Sequence, residues 1–182
     1  WDMQLAEYGT RILERRREFV EQVNEIISDI HHKLTGGRED ITLIYEESIG
    51  NMSLEQALKK NRERDLRLKS TSVGPHRDDL CFLNNGEIDI RKFGSQGQQR
   101  TAALSLKLSE IELVKRIIKD TPILLLDDVL SELDKHRQNY LLDSIHDIQA
   151  VITCTGLDEF VNHRFSISKI FHIKNGQAAK AN

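Results

Sequence analysis

The stretch 122–128, Pro-Ile-Leu-Leu-Leu-Asp-Asp, limits the possible folds more than any other part of the chain. A proline opens it, four apolar residues follow, and two carboxylates close it. The run is too short for a helix and reads as a strand with apolar side chains on both faces. Such a strand needs cover above and below, which helices on a parallel sheet provide. Residues 150–154, Ala-Val-Ile-Thr-Cys, read as a second buried strand, with a helix over about 134–145 between them. Residues 167–173 read as a third, closed by Asn175-Gly176. This alternation predicts an α/β fold with a mainly parallel sheet and flanking helices.

The first part of the chain has a different texture. Apolar residues at Leu5, Tyr8, Ile12, Phe19, Val23, Ile26, Ile27 and Ile30 predict one helix over 2–34, ended by Thr35-Gly36-Gly37. Residues 41–46 are β-branched and short, a strand. Ser53 with Gln56 is a capping box opening a helix over 54–69. Residues 1–70 therefore read as a helical arm or lobe, helix–strand–helix, and 71–182 as the second domain. The second begins with a turn-rich connector and a hairpin on Asn85-Gly86, then a helix over about 98–118.

Charged residues make up 30% of the 182 and aromatics 5%, at a formal net charge of −3. No global charge draws the chain to nucleic acid, so any contact with DNA must use local basic clusters. Cys81 and Cys154 lie in apolar, strand-like runs without CxxC spacing, which suggests buried thiols in a reducing cytosol. No apolar run approaches the ~18 residues of a membrane span, and no signal peptide is visible. Met3 lies inside a helical pattern, so the chain reads as a piece of a longer protein.

Two motifs carry chemistry. In residues 91–116 a small, polar, Gly-containing segment runs directly into a helix. That places open backbone N–H groups at the positive end of a helix dipole, with Ser95 adding a hydroxyl and Gly97 allowing close approach of an anion such as phosphate. The plainer reading is a helix capped by Ser95. In 123–134 a buried strand delivers Asp127 and Asp128 at its C-terminal end, where open α/β sheets place ligands. One carboxylate there can hold Mg²⁺ through water while its neighbour orients an attacking water. The plainer reading is an acidic cap for the next helix.

The order Gly-Ser-Gln-Gly-Gln, then hydrophobic-Asp-Asp, then Ser-Glu-Leu-Asp resembles the second half of an ABC/SMC-type ATPase head. There a signature motif, a Walker B strand and a D-loop follow in that order. The longer string over about 71–156 is similar to the RecF family of bacterial recombination mediators, and the opening helix resembles that family's helical lobe. The resemblance implies that Ser95, Gln96, Gly97 and Gln98 form the signature loop, capping the γ-phosphate of ATP held by an opposite subunit. It implies that Asp127 is the Walker B aspartate on the Mg²⁺ shell. Asp128 takes the general-base position, one methylene shorter than the usual Glu, so turnover would be slow. Ser131, Glu132, Leu133 and Asp134 become the D-loop at a dimer interface. Implied partners are double-stranded or gapped DNA, a second copy of the chain, and the mediators RecO and RecR. The implied roles are ATP-dependent DNA binding, gap repair, replication and the SOS response, in the cytoplasm, with a slow, DNA-stimulated ATPase.

The signature departs from the pattern, with Gly94 for Leu and Gln96 for Gly. No histidine occupies the switch position, where Thr155 and Gly156 stand. No GxxxxGK[ST] occurs in the sequence, so the phosphate cradle, its lysine and a Mg²⁺ ligand are missing. The chain then corresponds to the C-terminal half of the family, inactive alone, and its site is completed by an N-terminal P-loop half and a second copy. Removing that half would expose apolar surface or a sheet edge.

Basic clusters at Arg15, Arg16 and Arg17, and at Lys59, Lys60, Arg62 and Arg64, are candidate DNA-backbone contacts. The plainer reading is a solvated helix face with ion pairs to Glu14 and Glu18. Residues 74–79 hold His76, Arg77 and Asp78, which suit either phosphate binding or a salt-bridged turn. His31 and His32, adjacent on a helix and so not on one face of it, read as polar side chains exposed to water. Competing functions are a pure DNA- or protein-docking module, a metal hydrolase using Asp127 and Asp128 alone, or the head of another SMC-type ATPase.

Overall fold

A computed structural model describes residues 1–155 and 168–180. Helix α1 spans Asp2–Thr35 and ends where Gly36 turns left-handed, at φ 66°, and donates its N–H to His32 O. Strand β1 (Ile41–Glu46) follows, then α2 (Leu54–Leu68). The capping box of α2 is formed as expected, with Ser53 Oγ accepting from Gln56 N and Gln56 Oε1 accepting from Ser53 N. Next come β2 (Asp79–Asn84) and β3 (Ile88–Asp89), joined by a turn in which Asn85 and Gly86 have φ of 49° and 76°. Two successive positive φ values are what an Asn-Gly hairpin turn needs. The short helix α3 (Ile90–Phe93) leads into α4 (Gln96–Ile118).

Contacts group residues 1–120 as one compact unit and 121–182 as another. The division at residue 70 groups residues by motif instead. In the first unit β1, β2 and β3 form an antiparallel sheet, with Ile41 opposite Asn84 and Glu46 opposite Asp79. Val20, Val23, Ile26 and Ile27 of α1 pack with Ile41, Leu43, Ala102 and Leu113 in the main core. Leu13 packs with Ile49, Leu54, Ala57, Leu58 and Val73 in a second cluster. A Cβ on Gly9 would lie 2.3 Å from Leu54 Cδ2, so α1 and α2 meet at a glycine. Strand β1 is a sheet edge, and Asn24 satisfies it: Nδ2 donates to Leu43 O at 2.7 Å and Oδ1 accepts from Leu43 N at 2.8 Å. One α1 side chain thereby occupies backbone groups that would otherwise invite another strand.

The second unit holds β4 (Leu124–Asp127), a 3₁₀ turn (Val129–Glu132), α5 (Lys135–Ser144) and β5 (Ala150–Thr153). Strands β4 and β5 are parallel, with Leu124 opposite Ala150 and Asp127 opposite Thr153. This is the expected parallel crossover, and it aligns the acidic strand end with the end of β5. The expected burial of both strand faces is not met. Ile123, Leu125 and Val151 are 64%, 73% and 54% exposed, so the described residues cover one face only. The third strand also differs. Strand β6 (Phe171–Lys174) pairs antiparallel with β7 (Gln177–Lys180) through Asn175-Gly176, and forms a separate hairpin. An Asn-Gly pair favours that tight reversal over a parallel continuation. Residues 156–167, including the start of the expected third strand and Gly156, lie outside the described residues. Cys81 is buried as expected, but Cys154, one residue past the end of β5, is exposed.

Candidate functional site

Ser95 is the cap of α4. Its hydroxyl oxygen accepts from Gln98 N at 3.2 Å, and Gln98 Oε1 accepts from Ser95 N at 2.8 Å. The box uses the N–H groups of Ser95 and Gln98. Those of Gln96 and Gly97 have no intrahelical partner by helix geometry, and the Ser95 hydroxyl hydrogen remains to donate. Above Gly97 there is open space, since an added Cβ would meet only Ser95 Oγ, at 3.8 Å. Gly94 is needed for a different reason: a Cβ there would lie 2.5 Å from Ile90 O. Gln99 Nε2 donates to the carbonyls of Ile90, Arg91 and Gly94 at 3.2–3.4 Å, tying the loop to α3. The capped-helix reading and the anion reading are therefore compatible at the same residues.

In the second unit Asp127 ends β4, and Asp128 turns left-handed at φ 51°. Thr153 Oγ1 donates to Asp127 Oδ1 at 2.5 Å and accepts from Asp128 N at 3.0 Å. Asp128 makes no side-chain cap hydrogen bond to the 3₁₀ turn. The helix cap is Asp134, which accepts from the N–H groups of His136 and Arg137 and pairs with the Arg137 guanidinium at 2.6 Å. The Arg137 N–H and guanidinium hold the Asp134 carboxyl below its ordinary pKa. Within the D-loop segment Ser131 Oγ donates to Asp128 O at 2.8 Å, and Gln138 Nε2 donates to Leu130 O and Leu133 O. Asp127 and Asp128 are both exposed, Asp127 with one carboxylate oxygen held by Thr153.

The basic clusters divide. Arg15 pairs with Glu18 at 2.9 Å, and Arg11 pairs with Glu7 rather than Glu14. Arg16 donates to Pro75 O at 2.5 Å, and Arg17 makes a two-pronged pair with Glu47 at 2.6 and 2.7 Å. Arg62 pairs with Asp2. Lys59, Lys60 and Arg64 are exposed along α2. Residues 74–79 form a knit turn: Asp78 accepts from Tyr45 Oη and from Ser48 N, and Arg77 donates to Thr71 O and Ser70 Oγ. His32 is exposed as expected, whereas His31 is fully buried, with Nδ1 2.9 Å from Ser105 Oγ. Helix α4 covers that side of α1, and adjacency in sequence gave no sign of it.

Two recesses, of about 400 and 380 Å³, are lined by residues around Arg16 and Tyr45 and around Arg62 and Leu66. Neither includes the signature residues or the acidic pair. Sequence reasoning missed Thr153, which parallel pairing sets beside Asp127 only once the register of the two strands is known. It also missed Glu39, which accepts from Gln98 Nε2 at 3.1 Å.

No family model matches the chain. It is 63% identical over 177 residues to the DNA replication and repair protein RecF of Agathobacter rectalis, covering 97% of this chain and 49% of that protein. It is 57% identical to RecF of Lachnospira eligens, covering 100% of this chain and 50% of the relative. The chain spans about half the length of the curated relatives it matches. Among solved structures, the recombination mediator protein RecF-ATP of the RecFOR pathway superposes with a TM-score of 0.82 at 38% identity, over 100% of this chain and 49% of that one. An Smc head bound to the C-terminal winged-helix domain of ScpA gives 0.52 at 17% identity, a likeness of fold, over 91% of this chain and 43% of that one. The fold is thus an α/β, ABC/SMC-type ATPase head half with a helical arm, and the chain belongs to the RecF family, as the counterpart of its members' C-terminal half.

Proposed function

We propose that this chain supplies the signature, Walker B and D-loop faces of a composite ATP site in a RecF-type recombination mediator acting in DNA gap repair. The observation that carries the proposal is the strand end at Asp127 and Asp128, fixed by one Thr153 hydroxyl and used by no helix cap. The α4 N-terminus adds what a γ-phosphate requires, namely two open N–H groups and a hydroxyl donor. RecF-ATP among the structural relatives supports ATP as the ligand.

Asp127 suits Mg²⁺ held mainly through water and phosphate oxygens, since Mg²⁺ keeps several waters and needs few carboxylates. Among the described residues no three His, Cys, Asp or Glu side chains gather to hold a metal by themselves. Asp128 orients the attacking water, and Ser131, Glu132, Leu133 and Asp134 cross to a second copy as the D-loop. A P-loop half seats the nucleotide. ATP closes two heads on double-stranded or gapped DNA, with RecO and RecR as later partners, and hydrolysis releases them. A mediator of DNA repair of this family would act in the cytoplasm, where bacterial DNA lies. Lys59, Lys60 and Arg64 are the first candidates for DNA phosphates. Arg15, Arg16, Arg17 and Arg62 would have to exchange internal partners.

Light scattering and ATP hydrolysis with Mg²⁺ test this on the chain alone, on the chain mixed with a P-loop half, and on the mixture with Ser95→Arg. Activity and nucleotide-dependent association are expected only in the mixture and are lost with Ser95→Arg. Hydrolysis by the chain alone, or indifference to the substitution, would place the site elsewhere.

A further inference from the structure

A line of polar contacts runs from the signature loop into the body of the first unit. Gln98 Oε1 receives Ser95 N–H at 2.8 Å, and Gln98 Nε2 donates to Glu39 Oε1 at 3.1 Å. The other Glu39 oxygen lies 3.7 Å from His31 Nε2, and His31 Nδ1 lies 2.9 Å from Ser105 Oγ. Ser105 Oγ donates its own hydrogen to Thr101 O at 2.8 Å, so its lone pair accepts a hydrogen from His31 Nδ1. His31 and Ser105 are fully buried, and Ser105 and Thr101 belong to α4 itself. Glu39 stands in the turn between α1 and β1, 59 residues before Gln98.

A glutamine amide has two ends of similar shape and opposite polarity. The capping box works only when the oxygen faces Ser95 N–H. A carboxylate accepts hydrogen bonds and donates none, so Glu39 faces the NH₂ end and sets that orientation. From this geometry we infer that Glu39 is a positioning residue for the signature loop. It holds the Gln98 amide so that the Ser95 backbone N–H is consumed, while the Ser95 hydroxyl and the Gln96 and Gly97 N–H groups stay turned outward. The inference rests on reading residues 95–98 as the phosphate-binding loop.

The test uses the chain assembled with a P-loop half and reads three quantities: ATP-dependent association, ATP binding, and amide hydrogen exchange of residues 94–98 without nucleotide. Glu39→Ala should speed that exchange and weaken association roughly fivefold to tenfold, the scale of one ordinary net hydrogen bond. ATP binding by the P-loop half should not change. Glu39→Gln keeps an acceptor oxygen and should restore most of the association. In a Gln98→Ala background, Glu39→Ala should add nothing, because both changes break the same contact.

Additive losses would mean that Glu39 acts through general packing, which overturns the inference. Unchanged exchange and association in Glu39→Ala, with Ser95→Arg still abolishing association, overturns it while leaving the signature reading intact. Indifference to Ser95→Arg itself removes the phosphate loop, and the positioning role goes with it.

Discussion

Thr153 carries two duties with one hydroxyl. It donates to Asp127 Oδ1, which directs the first carboxylate, and shares Asp128 N–H with its own backbone carbonyl at the left-handed turn that lifts the second. A non-glycine residue at positive φ is held only when its surroundings enforce it. Thr153→Val keeps the shape and removes both side-chain bonds, while Asp128 N–H keeps its bond to the Thr153 carbonyl at 3.2 Å. Expected in the assembled site is a loss of ~1.4 kcal/mol of transition-state stabilisation, about tenfold in turnover, with a higher Mg²⁺ requirement. Thr153→Ser should recover most of it. A Mg²⁺ titration of steady-state hydrolysis for the three proteins decides the matter, and equal curves would leave Thr153 as ordinary strand packing. The acidic pair was legible in the sequence because an apolar run delivered it. Thr153 was not, because its role depends on which residue of another strand lies opposite Asp127.

At the scale of elements, the Tyr45–Asp78–Arg16 contact joins β1, the 74–79 turn and α1. Burial, and then the hydrogen bond to Asp78, push the Tyr45 hydroxyl up to about 12. Burial works against the Asp78 carboxylate, but hydrogen bonds from Tyr45 and Ser48 and the Arg16 charge outweigh it and hold its pKa below the ordinary value. For Tyr45 the folded value is the higher one, so its stabilisation is complete below pH ~10 and fades as pH rises toward the folded value. For Asp78 the folded value is the lower one, so its stabilisation is complete above pH ~4 and is lost as pH falls through the folded value. Tyr45→Phe should lower stability at pH 7 by about 1–2 kcal/mol, remove the Tyr45 share of the alkaline loss, and make the Asp78 acid loss smaller, ending at a higher pH. Urea midpoints from pH 3 to 11 check all three. Sequence reading placed residues 74–79 in a turn but found no partner for them, since Tyr45 and Arg16 are remote in the chain. By contrast, the Ser53 box, the Ser95 cap and the Asn85-Gly86 turn were legible, because each is complete within four residues. The Asn175-Gly176 pair carried the same signal, and it marks the turn that separates β6 and β7 from the parallel pair.

At the scale of the whole molecule, the β4–β5 pair has one face without cover among the described residues. Leu125 and Val151 are partners in register, and Ile123 extends the same apolar surface. Parallel strands are ordinarily covered on both faces, and here the sequence pattern anticipated a layer that these residues do not provide. On the proposed function, a P-loop half supplies it. Full burial of a Leu or Val side chain contributes ~1.5–3 kcal/mol, so the two positions together are worth several kcal/mol to that association. The chain alone should therefore bind an apolar dye and self-associate, and adding the P-loop half should suppress both. The double variant Leu125→Lys, Val151→Lys should prevent self-association of the chain alone and also prevent pairing with the P-loop half, because each lysine would carry a charge into an apolar contact. The signature loop is left untouched by these changes, so Ser95–Gln98 exchange protection should stay at the unsubstituted level. Pairing that survives the two lysines would show that the cover for this sheet comes from another surface.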